Sequence, residues 1–361
     1  IANLTKIDSI TQKNIKDWLK GSYEEQIKEY IQQLVEENPE QAIDAFYTHL
    51  SFGTGGLRGI MGIGTNRMNI YTIRESTQGL SNYIRKNKKD NQSIIIGYDT
   101  RHNSRLFAEE TTKVLAGNGI QVYLSPSVCP TPFISFGCRF MGCSGGIMIT
   151  ASHNHPEYNG YKVYGSDGSQ IVSPIDKEIM EEIINVRLSG DIKTVSSLAN
   201  SYIELIPSYL KDEYIHYISS LQHYPELNRK KGNSLKIAYT SLHGVGITMV
   251  PLALSSWGFI NQCFIDKQIL CDGNFPTIKS PNPEENEALQ MGIQTMLEKQ
   301  ADILIATDPD ADRLGIVINH HGTAHILNGN QIAVLYLEHI CEAIFKKNQF
   351  TERGAFIKTL S

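Results

Sequence analysis

The chain has 361 residues, of which 41% are hydrophobic and 20% charged, and a net charge of −5. This is the balance of an ordinary globular protein with apolar residues enough for two or three separate cores. The acidic sign excludes a broad nucleic-acid surface, and no apolar run approaches the ~20 residues that a membrane span needs.

The six cysteines (Cys129, Cys138, Cys143, Cys263, Cys271 and Cys341) form neither a CxxC pair nor a His/Cys cluster with zinc spacing. Free thiols in a reducing compartment are expected, and the N-terminal residues lack a charged-then-apolar signal pattern. The expectation is a cytoplasmic protein with neither nucleic-acid nor membrane partners.

Residues 7–50 predict two or three amphipathic helices. Ile27, Ile31, Leu34 and Val35 recur at helical spacing, and Asn38-Pro39 breaks the run before a further helix to residue 50. A glycine-rich loop is expected at 52–68, a helix at 73–86 and a buried strand at 93–98 that ends in Asp99-Thr100-Arg101. A helix over 105–117, a strand over 120–124 and a connection with Pro126, Pro130 and Pro132 come next. An apolar strand at 145–150 then runs into Ala151-Ser152-His153-Asn154. This alternation points to an α/β domain.

The polar stretch 190–199 reads as a linker, followed by a helix at 202–221. A second α/β pattern takes in a strand at 235–239, a loop at 241–246 and a helix at 248–257. It closes with a strand at 301–306, an acidic loop at 308–312 and a strand at 314–318. A third unit opens at Asn328 with a helix to residue 345 and stops within a strand expected at 354–360. A domain rarely ends there, so the chain is expected to lack a C-terminal part.

The acidic loop Asp308-Pro309-Asp310-Ala311-Asp312-Arg313 is the sharpest chemical signal. In extended backbone the carboxylates of Asp308, Asp310 and Asp312 would face one way. Three hard oxygen ligands suit Mg²⁺, and Pro309 restricts the chain between the first two. Arg313 beside them fits a phosphate shared between a metal and a guanidinium. An EF-hand loop would need Gly at its sixth position and Glu at its twelfth, where Arg313 and Asn319 stand. A haloacid-dehalogenase-like phosphatase with Asp308 as nucleophile remains the alternative.

Ser152 closes a buried strand, with His153 and Asn154 after it and Lys162 ten residues on. Ligands of α/β proteins gather at such strand ends. A free serine is a poor nucleophile, whereas a phosphoserine is a donor that metal and cations activate. The glycine-rich segment 53–59 is neither a dinucleotide fingerprint, since Arg58 replaces the third glycine and a helix precedes it, nor a Walker loop. It presents backbone N–H groups and Arg58 to an anion. His243 follows the first strand of the second unit and is carried as a candidate phosphate-binding residue, although a histidine there more often serves as a structural hydrogen-bonder.

Together these residues resemble the α-D-phosphohexomutase family: GTGGLRG (53–59), TASHN (150–154) with NGYK (159–162), and DPDADR (308–313). The segments SLHGVG and FPTIKSPNPEE (275–285) resemble the branch with phosphoglucomutase/phosphopentomutase enzymes. The resemblance implies successive α/β domains, each a mixed sheet packed between helices. It divides the chain into a helical extension at 1–50, domain I at 51–200, domain II at 201–325 and the start of domain III at 326–361. Ser152 is implied as the phosphoserine, and its phosphate with Asp308, Asp310 and Asp312 as the ligands of one Mg²⁺. Arg58 and Arg313 are implied to stabilise phosphate charge, and His153 and Lys162 to handle the proton of the sugar hydroxyl.

The implied reaction interconverts hexose 1-phosphate and hexose 6-phosphate through glucose 1,6-bisphosphate or its analogue, with glucose first and mannose or pentose phosphates as further substrates. A monomer or weak homodimer that binds sugar phosphates is implied, and a non-catalytic sugar-phosphate-binding homologue is the other alternative. One departure is local: His155 precedes Pro156 where the family usually has Ser-His-Asn-Pro. The other is the expected lack of the sugar-recognition loop and distal-phosphate domain, which would make this polypeptide alone a poor mutase.

Overall fold

The structure, a computed structural model, describes residues 7–53, 55–87, 92–347 and 355. Apart from residue 355, the strand expected at 354–360 lies outside the described residues, as does Thr54 of the glycine-rich segment.

Three helices lead: α1 (Ser9–Lys20), α2 (Glu25–Glu37) and α3 (Pro39–Phe46). Asp8 caps α1 by accepting from the N–H groups of Ile10 and Thr11. Asn38 caps α3 by accepting from Gln41, with Pro39 as the first helical residue, where its missing N–H is no loss. Ile15, Trp18, Ile31, Val35 and Phe46 gather into one core. Trp18 meets Tyr71 edge-on at 5.5 Å and so ties these helices to the next unit. The third helix stops at Phe46, short of the expected residue 50.

The first sheet is built from β1 (Gly56–Ile60), β2 (Ser93–Tyr98), β3 (Gln121–Leu124), β4 (Gly145–Ile149), β5 (Tyr158–Gly165) and β6 (Ile203–Leu205). Its order is β1-β5-β4-β2-β3-β6; β5 runs antiparallel to β1 and β4, and the other pairs are parallel. Helices α4 (Ile70–Asn87), α5 (Ser104–Gly117) and α7 (Ile175–Ser189) cover one face, and α6 (Thr131–Phe140) and α8 (Tyr209–Ser220) the other. The strand period divides neighbours between the layers: Ile94 and Ile96 enter one core and Ile95 the other.

Three expectations change here. The glycine-rich loop contains a strand, β1, because glycine lets it approach β5. The proline-rich connection runs into α6, with Pro130 at its cap and Pro132 in its first turn, positions where proline is tolerated. The segment NGYKVYG, met above only through its NGYK motif, lies in the interior strand β5, and the helix expected from 202 begins with the parallel edge strand β6 before Pro207 allows α8 to start. The first sheet therefore extends past residue 200.

The second sheet comprises β7 (Ile237–Thr240), β8 (Gln262–Phe264), β9 (Ile303–Thr307), β10 (Leu314–His320) and β11 (Thr323–Leu327) in the order β11-β10-β9-β7-β8. With it come α9 (Pro225–Lys231), α10 (Val250–Ser256), α11 (Asn286–Glu298) and α12 (Gly329–Lys346). Leu289 and Met296 of α11 pack on Ala238, Leu304 and Val317 of the sheet. Asn328 and Gln331 form a reciprocal capping box at the start of α12. The C-terminal ends of β4 and β9, one from each sheet, come together and carry Ser152 and Asp308 into contact.

Gly56 tests the approach of β1 to β5. Its φ is +129°, and a Cβ would stand 1.9 Å from the Tyr161 carbonyl oxygen. Gly56→Ala is expected to lower unfolding stability by about 2–3 kcal/mol, measured by chemical denaturation. A change below about 0.5 kcal/mol would show that β1 does not hold this register.

Candidate active site

Strand β4 is apolar at every position and buried, so its end delivers Ser152 into the interior rather than to a surface turn. Ser152 is 2% exposed and adopts a left-handed φ of 53°, a conformation that costs a non-glycine residue and persists only where its surroundings enforce it. Its N–H donates to Thr150 Oγ1 at 2.8 Å. Its hydroxyl donates to Asp308 Oδ2 at 2.7 Å.

The enforcing group is Arg101, whose side chain is fully buried. It donates to the carbonyls of Ser152, Asn154, His155 and Tyr158, so one guanidinium holds both limbs of the serine loop. Asp99 Oδ2 faces its Nε at 3.4 Å, and the Phe275 ring of the second unit lies 5.0 Å beneath it. Sequence reasoning noted Asp99-Thr100-Arg101 only as a strand end. A charged pair directly after a buried strand was the available signal.

The acidic loop is a turn rather than the extended segment expected. The Ala311 N–H donates to the Asp308 carbonyl, and Ala311 has a φ of 56°. The turn wraps around Asp308, whose Oδ1 accepts from the N–H groups of Asp312 and Arg313 at 3.1 and 2.9 Å. Three carboxylate oxygens, one each from Asp308, Asp310 and Asp312, thereby lie within 4.8 Å of one another. Asp308 and Asp310 are fully buried and Asp312 is exposed.

Lys162 crosses from β5 to this cluster, donating to Asp310 Oδ2 at 2.7 Å and Asp312 Oδ2 at 2.8 Å. Burial opposes its charge, but Asp310 and Asp312 outweigh burial and raise its pKa, so it remains an ammonium. Burial also opposes ionisation of Asp310; Lys162, followed by the Thr131 hydroxyl, overcomes it and brings that carboxyl down to about 2. Asp308 goes the other way. Burial, then the charges of Asp310 and Asp312, push it well above the usual carboxylate range.

Asp310 Oδ1 is buried with no hydrogen-bond donor. A buried carboxylate oxygen without a donor, beside a second carboxylate that resists ionisation, is the arrangement a divalent cation would complete. The residues present thus fit a hard, oxygen-seeking metal.

His153 is half-buried, and burial together with Arg313 and Arg58 lowers its pKa to about 4, leaving a neutral imidazole at pH 7. The exposed Arg58 side chain donates to Asn154 Oδ1 at 2.8 Å from strand β1. Arg313 is exposed at the end of the acidic turn. The structure therefore brings Ser152, Lys162, Asp308, Asp310 and Asp312 into direct contact, with Arg58, His153 and Arg313 around them.

His243 is placed differently. Its ring nitrogens face the Leu270 carbonyl at 3.0 Å and the Thr277 hydroxyl at 2.9 Å. Its loop packs on the acidic turn through the Val245 N–H, which donates to the Pro309 carbonyl. A Cβ on Gly244 would come within 2.3 Å of Pro309 Cα. The loop supports the acidic turn while the imidazole holds its own unit together.

Two domain descriptions of one family match the chain: phosphoglucomutase/phosphomannomutase, alpha/beta/alpha domain I over residues 49–189, and domain II over residues 212–322. The chain is 40% identical over 302 residues to a phosphoglucomutase of Staphylococcus haemolyticus (strain JCSC1435), covering 82% of this chain and 54% of that protein. It is 38% identical over 327 residues to the phosphoglucomutase of Staphylococcus aureus (strain N315), covering 89% of this chain and 57% of that one. The chain spans about half the length of the curated relatives it matches. A crystal structure of a phosphoglucomutase/phosphomannomutase family protein from Burkholderia thailandensis shares the fold, with a TM-score of 0.64 at 22% identity over 81% of this chain and 58% of that one.

Opposite effects are expected from neighbouring substitutions in metal-free protein at pH 7. Lys162→Met leaves Asp310 buried and uncompensated, and is expected to cost about 3–5 kcal/mol of stability. Asp308→Asn removes a carboxylate whose ionisation the fold opposes, and is expected to raise the denaturation midpoint in chelator. If both variants were destabilised alike, the division of charge between Asp308 and Asp310 would be wrong.

Proposed function

The chain belongs to the phosphoglucomutase/phosphomannomutase family, and from that premise we propose that it carries the phosphoserine chemistry of a sugar-phosphate mutase. The reaction is the interconversion of hexose 1-phosphate and hexose 6-phosphate, with glucose phosphates first. One observation carries this reading: the Ser152 hydroxyl lies 2.7 Å from the buried Asp308, one of three clustered aspartates that a lysine already partly neutralises.

Each residue takes one task. Ser152 bears the phosphoryl group, and a phosphate oxygen with Asp308, Asp310 and Asp312 would hold one Mg²⁺. The ion, when bound, supplies neutralisation of the phosphoryl charge. Arg58 and Arg313 face the transferring group as further cations. In the first transfer the O–P bond to Ser152 breaks as a bond forms to the free sugar hydroxyl. The hydroxyl proton passes to the neutral imidazole of His153, from which the departing Ser152 oxygen recovers it, while Lys162 remains an ammonium and balances charge. The product, glucose 1,6-bisphosphate for a glucose substrate, turns over and returns its other phosphate to Ser152 in a second transfer. The same bisphosphate primes an unphosphorylated chain.

Phosphatase chemistry on Asp308 is less well supported, because both carboxylate oxygens already accept: Oδ1 from two backbone N–H groups and Oδ2 from Ser152. Incubation with Mg²⁺ and glucose 1,6-bisphosphate, followed by intact mass and phosphopeptide mapping, tests the proposal. One acid-stable phosphoryl group on Ser152, absent from Ser152→Ala, is the expected result. A hydroxylamine-labile group on Asp308 would favour the phosphatase, and no incorporation at all would count against phosphoserine chemistry in this chain.

A further inference from the structure

Thr131 takes no step in the reaction proposed above, yet its hydroxyl reaches the acidic triad at 2.6 Å, as near as Lys162 and Ser152 come. It is the first residue of α6, just after the cap Pro130, and it is 4% exposed. Its N–H, one of the groups that a helix start leaves without an intrahelical partner, donates to the Asp310 carbonyl at 2.9 Å. Its hydroxyl donates to Asp310 Oδ2 at 2.6 Å. The two bonds grip main chain and side chain of the same aspartate from across the boundary between the two sheets.

Their effect on Asp310 is directional. Oδ2 accepts from both Thr131 and Lys162, so that oxygen is saturated and its position fixed. Oδ1 is buried and receives no donor. A carboxylate pinned by one oxygen presents the other at a set angle. Lys162 alone does not set it, since its ammonium is shared with Asp312 and sits on a flexible four-carbon stem. The threonine hydroxyl is held by a helix start and bonds Asp310 only.

We infer that Thr131 is a positioning residue for the metal: it fixes Asp310 so that Oδ1 is the ligating oxygen, and it makes the site depend on docking of α6 against the acidic turn. The inference rests on the reading of the Asp triad as a divalent-cation site. Partners that orient metal ligands from outside the coordination sphere typically affect affinity by about 10–100-fold.

The test is Mn²⁺ binding to the whole chain, followed by calorimetry or by loss of the free-ion electron paramagnetic resonance signal, with no turnover required. Thr131→Val, which keeps shape and N–H and loses the hydroxyl, is expected to bind Mn²⁺ about 10–100-fold more weakly. Thr131→Ser restores the hydroxyl and is expected to bind within about threefold of wild type. Thr131→Val binding as wild type would overturn the inference. So would a Thr131→Ser protein that melts like wild type but binds as weakly as Thr131→Val, and this arm holds even if the valine variant does not fold. Wild-type protein that binds no Mn²⁺ would instead overturn the metal reading beneath it.

Discussion

Three carboxylates on one short turn are the constraint around which the site is organised. Asp308 and Asp310 are fully buried with Asp312 at their edge, an arrangement that in isolation would repel itself apart. The first unit supplies what the second lacks: the Lys162 ammonium, the Thr131 hydroxyl and the Ser152 hydroxyl all donate into this turn. The turn adds two of its own backbone N–H groups on Asp308. Docking of the two sheets and satisfaction of the carboxylates are therefore one event.

A second set of contacts keeps the serine loop in register with that turn. Arg101 fixes four carbonyls of the loop and stacks on Phe275. Beside it His102 pairs with Asn274 at 2.8 Å, and Gly273 lies so close to the Thr100 carbonyl that a Cβ would sit 2.8 Å away. His155 adds a contact of its ring with the Lys279 carbonyl at 3.1 Å. The one local departure from the usual motif thus forms another tie between the units. The left-handed backbone of Ser152 is sustained by this surrounding frame rather than by its own sequence.

What could be read from the sequence follows from which physical signals are local. Long amphipathic helices, the apolar strands β2 and β4, and the capped start of α12 have periodicities or caps that decide structure within a dozen residues. Strand β5 did not stand out, because its Asn, Gly and Tyr residues resemble a loop until β1 and β4 flank it. Helix α6 was hidden by prolines that are tolerated only because they occupy its first turn and cap. Within the site, Ser152, Lys162 and the three aspartates were legible as motifs. Arg101 and Thr131 were not, since their meaning lies in partners 51 and 179 residues away. The acidic loop was recognised for the right residues and the wrong backbone: the convergence comes from a turn closed on Asp308, not from strand alternation.

Under the proposed chemistry, the charge arrangement would link phosphorylation of Ser152 to metal binding. A phosphoryl group on Ser152 would bring about −1.5 to −2 charges to a hydroxyl that now lies 2.7 Å from Asp308. Asp308 already resists ionisation through burial and its two acidic neighbours, and Lys162 is committed to Asp310 and Asp312. Lys162 cannot serve the new charge without leaving the old ones bare, and Arg101 is committed to the carbonyls of the serine loop. Under that chemistry a divalent ion held by the triad would relieve the conflict, so phosphorylation would strengthen metal binding and, by thermodynamic reciprocity, metal binding would stabilise the phosphorylated serine to the same degree. Burial of the incompletely neutralised Asp308 and Asp310 is what would make this coupling strong: in a fully exposed acidic turn, water and salt would screen most of it away.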